Sequence, residues 1–132
     1  VQVGIRAISA GEVPFLEANR HRISVHWAKD MRNWELEEIV RPLEGRPVYI
    51  TFDIDALDPS LMPATGTPEP GGIAYEEALA ILKRASQVAQ IVGADIVELA
   101  PIKGLHAPDF VAARLAYKLL AYAMASRKRY SK

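Results

Sequence analysis

Apolar residues recur along this chain at two different spacings, and the switching between them predicts the order of elements. Short β-branched runs over 1–5 and 23–27 read as strands. The run Arg46-Pro47-Val48-Tyr49-Ile50-Thr51-Phe52-Asp53 reads as a nearly continuous apolar strand, the type buried on both faces of a parallel sheet. Ala78, Leu79, Ile81, Leu82, Ala85 and Val88 fall at helical spacing and predict a helix over 75–89, followed by a strand over 93–99. A last stripe, Val111, Leu115, Leu119 and Tyr122, predicts a helix over 108–126, and Arg127, Lys128 and Arg129 suit the negative end of its dipole.

Two helices are expected earlier in the chain. Ser9 with Glu12 three residues later is a capping-box pattern, with Pro14 limiting the helix it opens. Asp30 is the expected N-cap of a helix over 31–40, with Pro42 beyond its end. Residues 59–72 hold four prolines and three glycines, so they form an ordered loop or a linker and no regular element. Strands alternating with helices argue an α/β fold with a parallel sheet, in one domain over 1–132. No internal repeat or low-complexity tract interrupts it.

Composition narrows the function. Lys plus Arg and Asp plus Glu number 16 each, so no net charge marks nucleic acid or an anionic membrane as a partner, and a small molecule or a protein is expected instead. The absence of cysteine excludes disulfides, thiolate metal sites and cysteine nucleophiles, and fits a cytoplasmic protein. No apolar run approaches the roughly 18 residues of a membrane span, and the start lacks a basic segment followed by an apolar core. The opening Val1-Gln2-Val3-Gly4-Ile5, strand-like and without an initiating Met, reads as the start of an excised piece.

Asp53 and Asp55 carry the clearest chemistry. Two residues apart in a strand, they are expected to share one face while Phe52 and Ile54 share the other. The end of a parallel strand is where ligands bind in open α/β folds. Two carboxylates held close raise one pKa unless a cation lies between them, so the pair reads as a hard-metal site, or else as a cap for the next turn. Asp58, just before Pro59, reads as a turn initiator. His21 is expected in a solvated loop, His26 as a partly buried, hydrogen-bonded side chain and His106 in a turn, none of them a ligand.

The run Tyr49-Ile50-Thr51-Phe52-Asp53-Ile54-Asp55-Ala56-Leu57-Asp58-Pro59, followed by Pro63-Ala64-Thr65-Gly66-Thr67-Pro68 and Gly71-Gly72, resembles the last signature of the ureohydrolases, the agmatinases and arginases. The resemblance continues through Asp95-Ile96-Val97-Glu98-Leu99-Ala100-Pro101 and the apolar last helix, and Gln2-Val3-Gly4-Ile5-Arg6 resembles the family's preceding strand. It implies the C-terminal half of a three-layer α/β/α domain with a mainly parallel sheet. It implies that Asp53 and Asp55 are manganese ligands, one carboxylate able to bridge two Mn2+ ions, while Asp58 matches no family ligand. Thr67 and Glu98 match positions that face the substrate's guanidinium group, a planar donor-only cation that a carboxylate and a hydroxyl can hold. Residues 63–72 would then be an ordered loop lining the pocket.

The activity implied is hydrolysis of a small guanidino compound to urea and an amine, with agmatine favoured and arginine or another guanidino acid as the alternative. Lys103-Gly104 departs from the Tyr-Asp of some agmatinases, and a lysine near the pocket would disfavour a cationic tail. The family's Gly-Gly-Asp-His and Asp-Ala-His-x-Asp segments, which carry its other metal ligands, do not occur here. The general acid and most of the metal site are therefore expected upstream of Val1, with no catalytic residue in this chain. Alone, it is expected to be inactive and to bind metal poorly. Trimers or hexamers are typical of the family, so the resemblance implies a homo-oligomer, with the missing N-terminal half as a further candidate partner. Two readings compete. A haloacid-dehalogenase phosphatase also begins with Asp-x-Asp, but wants Thr or Val where Leu57 stands. An inactive fragment or paralogue could serve as an assembly or regulatory module.

Overall fold

The computed structural model describes residues 1–130. Its strands are β1 (Gln2–Ile5), β2 (Val25–Trp27), β3 (Pro47–Asp53) and β4 (Gln90–Val97), and its α-helices are α1 (Val13–Ala18), α2 (Leu36–Val40), α3 (Tyr75–Val88) and α4 (Ala107–Tyr130). β1 pairs with β2 and β3 with β4, both in parallel, as two separate two-stranded sheets. Parallel neighbours need a crossover, and α3 supplies it between β3 and β4. The α/β reading with parallel pairing is therefore observed.

The apolar stripes of α3 and α4 close over one face of the β3–β4 sheet. Ile50, Phe52 and Ile96 pack with Ala78, Leu82, Ala112, Leu115 and Leu119 in the main core. The opposite face is open, so the expectation that β3 is buried on both sides is corrected: Tyr49 and Thr51 are exposed. There the Tyr49 ring lies over its register partner Gly93, whose missing side chain makes the room, and its hydroxyl donates to Asp95 Oδ2 at 2.8 Å. A second cluster joins α2 to α3 through Ile39, Val40 and Ala85. A forked pair from Arg84 to Glu37, 2.7 Å on each arm, reinforces that contact at the surface.

Several element boundaries differ from the sequence expectation. The helix over 31–40 is broken: Ala28–Asn33 is a 3-10 turn containing Asp30, which caps nothing, and α2 is five residues long. Trp34 and Glu35 are extended between them, and Trp34 packs against both core clusters, so burial of one large ring overrides local helix propensity. Ser9 does bond Glu12, through its N–H at 2.9 Å and its hydroxyl at 2.7 Å, but this closes a turn ahead of α1, which starts at Val13. β4 begins at Gln90 rather than at 93, with only Ala89 between it and the end of α3. It carries a bulge at Val92, because Ile91 pairs with Val48 and Gly93 with Tyr49.

Residues 59–72 are a packed loop and not a linker, since Met62 and Ala64 are fully buried. α4 buries Ala112, Leu115, Leu119 and Ser126, and the Ser126 hydroxyl accepts the Ile91 N–H at 2.9 Å. It runs four residues beyond the expected end, where Arg129 and Tyr130 donate to the carbonyls of Gln87 and Val88. Its other side exposes Phe110, Tyr117, Leu120 and Met124. Among the described residues no helix is long and apolar enough to cross a membrane.

Candidate functional site

β3 stops at Asp53, and Ile54–Ala56 forms a 3-10 turn. Asp53 and Asp55 are therefore brought together by a turn and not by strand alternation, which corrects the reason though not the pairing. The Asp53 carboxylate caps the turn by accepting the Asp55 N–H at 3.1 Å, and fully buried Ile54 anchors it to the core. The cap reading is thus observed.

Thr67 and Glu98 arrive from two further segments. The Thr67 hydroxyl donates to Asp55 Oδ2 at 2.9 Å. Glu98 follows directly on β4, whose Val97 is the register partner of Asp53, so both lie at the same strand end. Its backbone is left-handed, with φ of 66°, the one such non-glycine among the described residues. A long side chain at that angle is strained, and strain of this kind gathers at functional sites. The position is held by an antiparallel bridge between Thr65 and Leu99 and by the Ala100 N–H donating to the Ala64 carbonyl at 2.8 Å. Gly66 follows these anchors, and a Cβ built on it would sit 3.9 Å from Glu98 Oε2. The loop 64–67 thus threads between Glu98 and Asp55.

The electrostatics agree with this crowding. Burial pushes the Asp53 carboxyl above its ordinary range; the Asp55 N–H pulls back, while the charges of Asp55 and Glu98 push the same way as burial. A carboxyl held up by burial and by like charge is relieved by a cation. Carboxylate oxygens suit a hard ion such as Mn2+, so Asp53 and Asp55 fit as part of a donor set. Among the described residues no group of three or more His, Cys, Asp or Glu side chains is arranged to hold an ion.

The remaining candidates fall elsewhere. Asp58 accepts the Ser60 N–H and hydroxyl at 3.0 and 2.6 Å and the Gly71 N–H at 3.1 Å, the turn role expected of it. Those bonds, that from the Ser60 hydroxyl first, hold its carboxyl below the usual range. His106 is exposed beside Asp109 at 3.8 Å. His26 differs from expectation: its Nε2 is buried without a hydrogen-bond partner, and burial pushes its pKa down.

Sequence reasoning assigned no role to Arg6. Its guanidinium donates to the Gly4 carbonyl at 2.9 Å and to the backbone carbonyl of Asp55, and lies 3.8 Å from Asp55 Oδ1. The available signal was a basic residue directly after a strand. Arg6, Asp53, Asp55, Thr67 and Glu69 line one cleft of about 780 Å³ between β1 and β3. A second hollow of about 500 Å³, by Tyr75, Phe110, Arg114 and Lys118, contains none of the four predicted site residues.

A sequence model of the arginase family matches residues 1–122. The chain belongs to the arginase family. It is 39% identical over 123 residues to the N(1)-aminopropylagmatine ureohydrolase of Synechocystis sp., covering 91% of this chain and 39% of that protein. With the agmatinase of Neisseria meningitidis serogroup C it shares 42% identity over 105 residues, 76% of this chain and 31% of that one. The crystal structure of agmatine ureohydrolase of Thermoplasma volcanium superposes with a TM-score of 0.78 at 31% identity, over 96% of this chain and 43% of that one. This arginase-family chain thus spans well under half the length of these relatives.

Proposed function

We propose that this chain supplies part of the active site of a manganese-dependent amidinohydrolase that converts a guanidino compound to urea and an amine. The observation that carries the reading is the convergence of Asp53, Asp55, Thr67 and Glu98 at one strand end, with the Asp53 carboxyl raised by its buried, anionic surroundings. Asp53 and Asp55 would hold the metal. Bound manganese supplies the Lewis acidity that makes water a nucleophile near neutral pH.

The rest follows from the chain's own groups. Thr67 has one hydroxyl hydrogen, and that hydrogen is committed to Asp55. Toward any other group its oxygen can therefore only accept, which selects a donor such as a guanidinium N–H. Glu98 supplies the opposing charge, and its strained backbone fixes where that charge stands. Together they orient a planar cation beside the two aspartates. The general acid and the remaining ligands come from residues outside this chain, in keeping with its covering 39% of the length of its Synechocystis relative.

Agmatine is the favoured substrate. Relatives named for agmatine and aminopropylagmatine support a substrate with a cationic tail. Arginine or another guanidino acid is the alternative. A homo-oligomer is also proposed, supported by the exposed Phe110, Tyr117, Leu120 and Met124 of α4.

The test is native mass and manganese content of the purified chain, with urea release from agmatine, aminopropylagmatine and arginine. Weak manganese binding without urea, and activity restored by a polypeptide carrying the rest of the family's length, is the expected result. Two manganese ions per chain and urea formation by these 132 residues alone would overturn the reading of a partial site.

A further inference from the structure

We infer that Arg6 is the positioning residue that sets Asp55 as a metal ligand; the inference rests on the metal reading of Asp53 and Asp55 above. Among the described residues β1 and β3 belong to different sheets and share no ladder hydrogen bonds. Arg6 bridges that gap. One terminal nitrogen holds the Gly4 carbonyl at the end of β1, and the other holds the Asp55 carbonyl in the turn. β1 also packs closely there, since a Cβ on Gly4 would touch Ala56 and Ile73 at 3.8 Å.

An aspartate has two side-chain torsions, so the placement of its backbone largely decides where its carboxylate can reach. Asp55 is held at both ends: Thr67 fixes the carboxylate through Oδ2, and Arg6 fixes the main chain. The arginine side chain is 11% exposed and its Nε is buried without a partner. A buried cation persists where its charge is balanced, and here the nearest carboxylate oxygen, Asp55 Oδ1, is 3.8 Å away. That oxygen is approached by the charge without a hydrogen bond, which leaves its lone pairs free for a metal ion. Arg6 thereby sets a positive charge beside Asp55 without competing for the ligand atom.

Lysine keeps the charge but cannot serve two carbonyls with a rigid fork, and methionine keeps the bulk without charge or donors. The probe is MnCl2, titrated into isotope-labelled chain, with paramagnetic broadening of the Asp53 and Asp55 resonances as the readout; this detects weak binding and needs no turnover. In the unsubstituted chain both residues broaden together. Arg6→Met should raise the manganese concentration for half-broadening by ~10- to 100-fold, the range typical when a residue supporting a metal ligand is lost, and should spare Asp53 relative to Asp55. Arg6→Lys should fall between, keeping dispersed amide signals that report an intact fold. Ser126→Ala, which loosens the far end of β4, should leave the broadening unchanged and so separates positioning from general loss of stability. Wild-type midpoints and patterns in both Arg6 variants would overturn the inference. The titrations are repeated with a polypeptide carrying the rest of the family's length supplied, and absence of broadening at Asp53 and Asp55 in that assembly would instead overturn the metal reading, and the inference with it.

Discussion

Gly72 stands where the loop returns to the Asp55 turn, and replacing it with alanine should damage that turn out of proportion to one methyl group. A Cβ there would lie 2.5 Å from Asp58 N and from Leu57 C, and 2.7 Å from Leu57 O, all backbone atoms with no torsion to rotate away. Ordinary carbon contacts are about 3.5 to 4.0 Å, so the strands of the loop must part by roughly 1 Å. What they part is a short rung: Ile73 N–H donates to the Ala56 carbonyl at 2.9 Å and Asp58 N–H to the Ile73 carbonyl at 3.1 Å. Two hydrogen bonds at about 1 kcal/mol net each, with overpacking of about 1 to 3 kcal/mol, give a cost of about 3 to 5 kcal/mol. For a chain of this size each kcal/mol lowers the melting temperature by about 4 °C, so Gly72→Ala should melt about 12 to 20 °C lower.

Two neighbouring substitutions calibrate that figure. Gly71 has φ of +80° and nothing within 4 Å of its Cβ position, so Gly71→Ala meets backbone strain alone, about 1 to 2 kcal/mol. Gly11 has neither a clash nor a positive φ, so Gly11→Ala should be neutral or slightly stabilising. Urea denaturation followed by circular dichroism measures all three, with the slope of the transition checked for constancy. If Gly72→Ala proved as stable as Gly71→Ala, the close approach of residue 72 to the 57–58 backbone would not be the constraint argued here.

Ser126→Ala strands the Ile91 N–H beneath α4 and should cost about 1 to 3 kcal/mol, read as a lower urea midpoint. Glu98→Gly relieves the left-handed backbone and should stabilise the chain by about 1 kcal/mol, read as a higher urea midpoint; a loss of stability would contradict the strain assigned to Glu98. Because burial, with Asp55 and Glu98, raises the Asp53 pKa in the folded state, folding holds that proton more tightly than the unfolded chain does. Its contribution is most favourable at acid pH and is lost as pH rises from the ordinary carboxyl value through the raised one. Metal-free Asp53→Asn should therefore gain on the parent chain across that window and keep the gain at neutral pH, as melting curves at a series of pH values would show.

How much of this was legible depended on what each feature rests upon. β3, α3 and α4 follow from period and composition, because their stripes are long and their burial is simple. Asp58 as a turn residue was readable from the proline after it. The loop 59–72 was ambiguous by composition, and its order comes from buried Met62 and Ala64, which a list of prolines and glycines cannot reveal. The helix expected over 31–40 failed because Trp34 is drawn into two clusters by distant partners. The start of β4 was missed because Ala89 passes the chain from α3 to β4 in extended conformation with no turn residue to mark the change. At the site, the residue types were visible in the motif, while the turn that joins Asp53 to Asp55, the backbone of Glu98 and the reach of Arg6 belong to contacts across the fold.

That direct passage at Ala89 also sets a phase. Side chains along β4 alternate in direction, so the orientation reaching Glu98 depends on an unbroken count from the end of α3, and the bulge at Val92 has already shifted that count by one. An added or deleted residue at the joint would have to be absorbed by a second bulge or carried to the far end as an error of half a period. Length changes are better tolerated in the surface turns, where no count is kept. At this joint a single indel acts like a frameshift in three dimensions, silent in composition and fully expressed some eight residues downstream in the direction of one carboxylate.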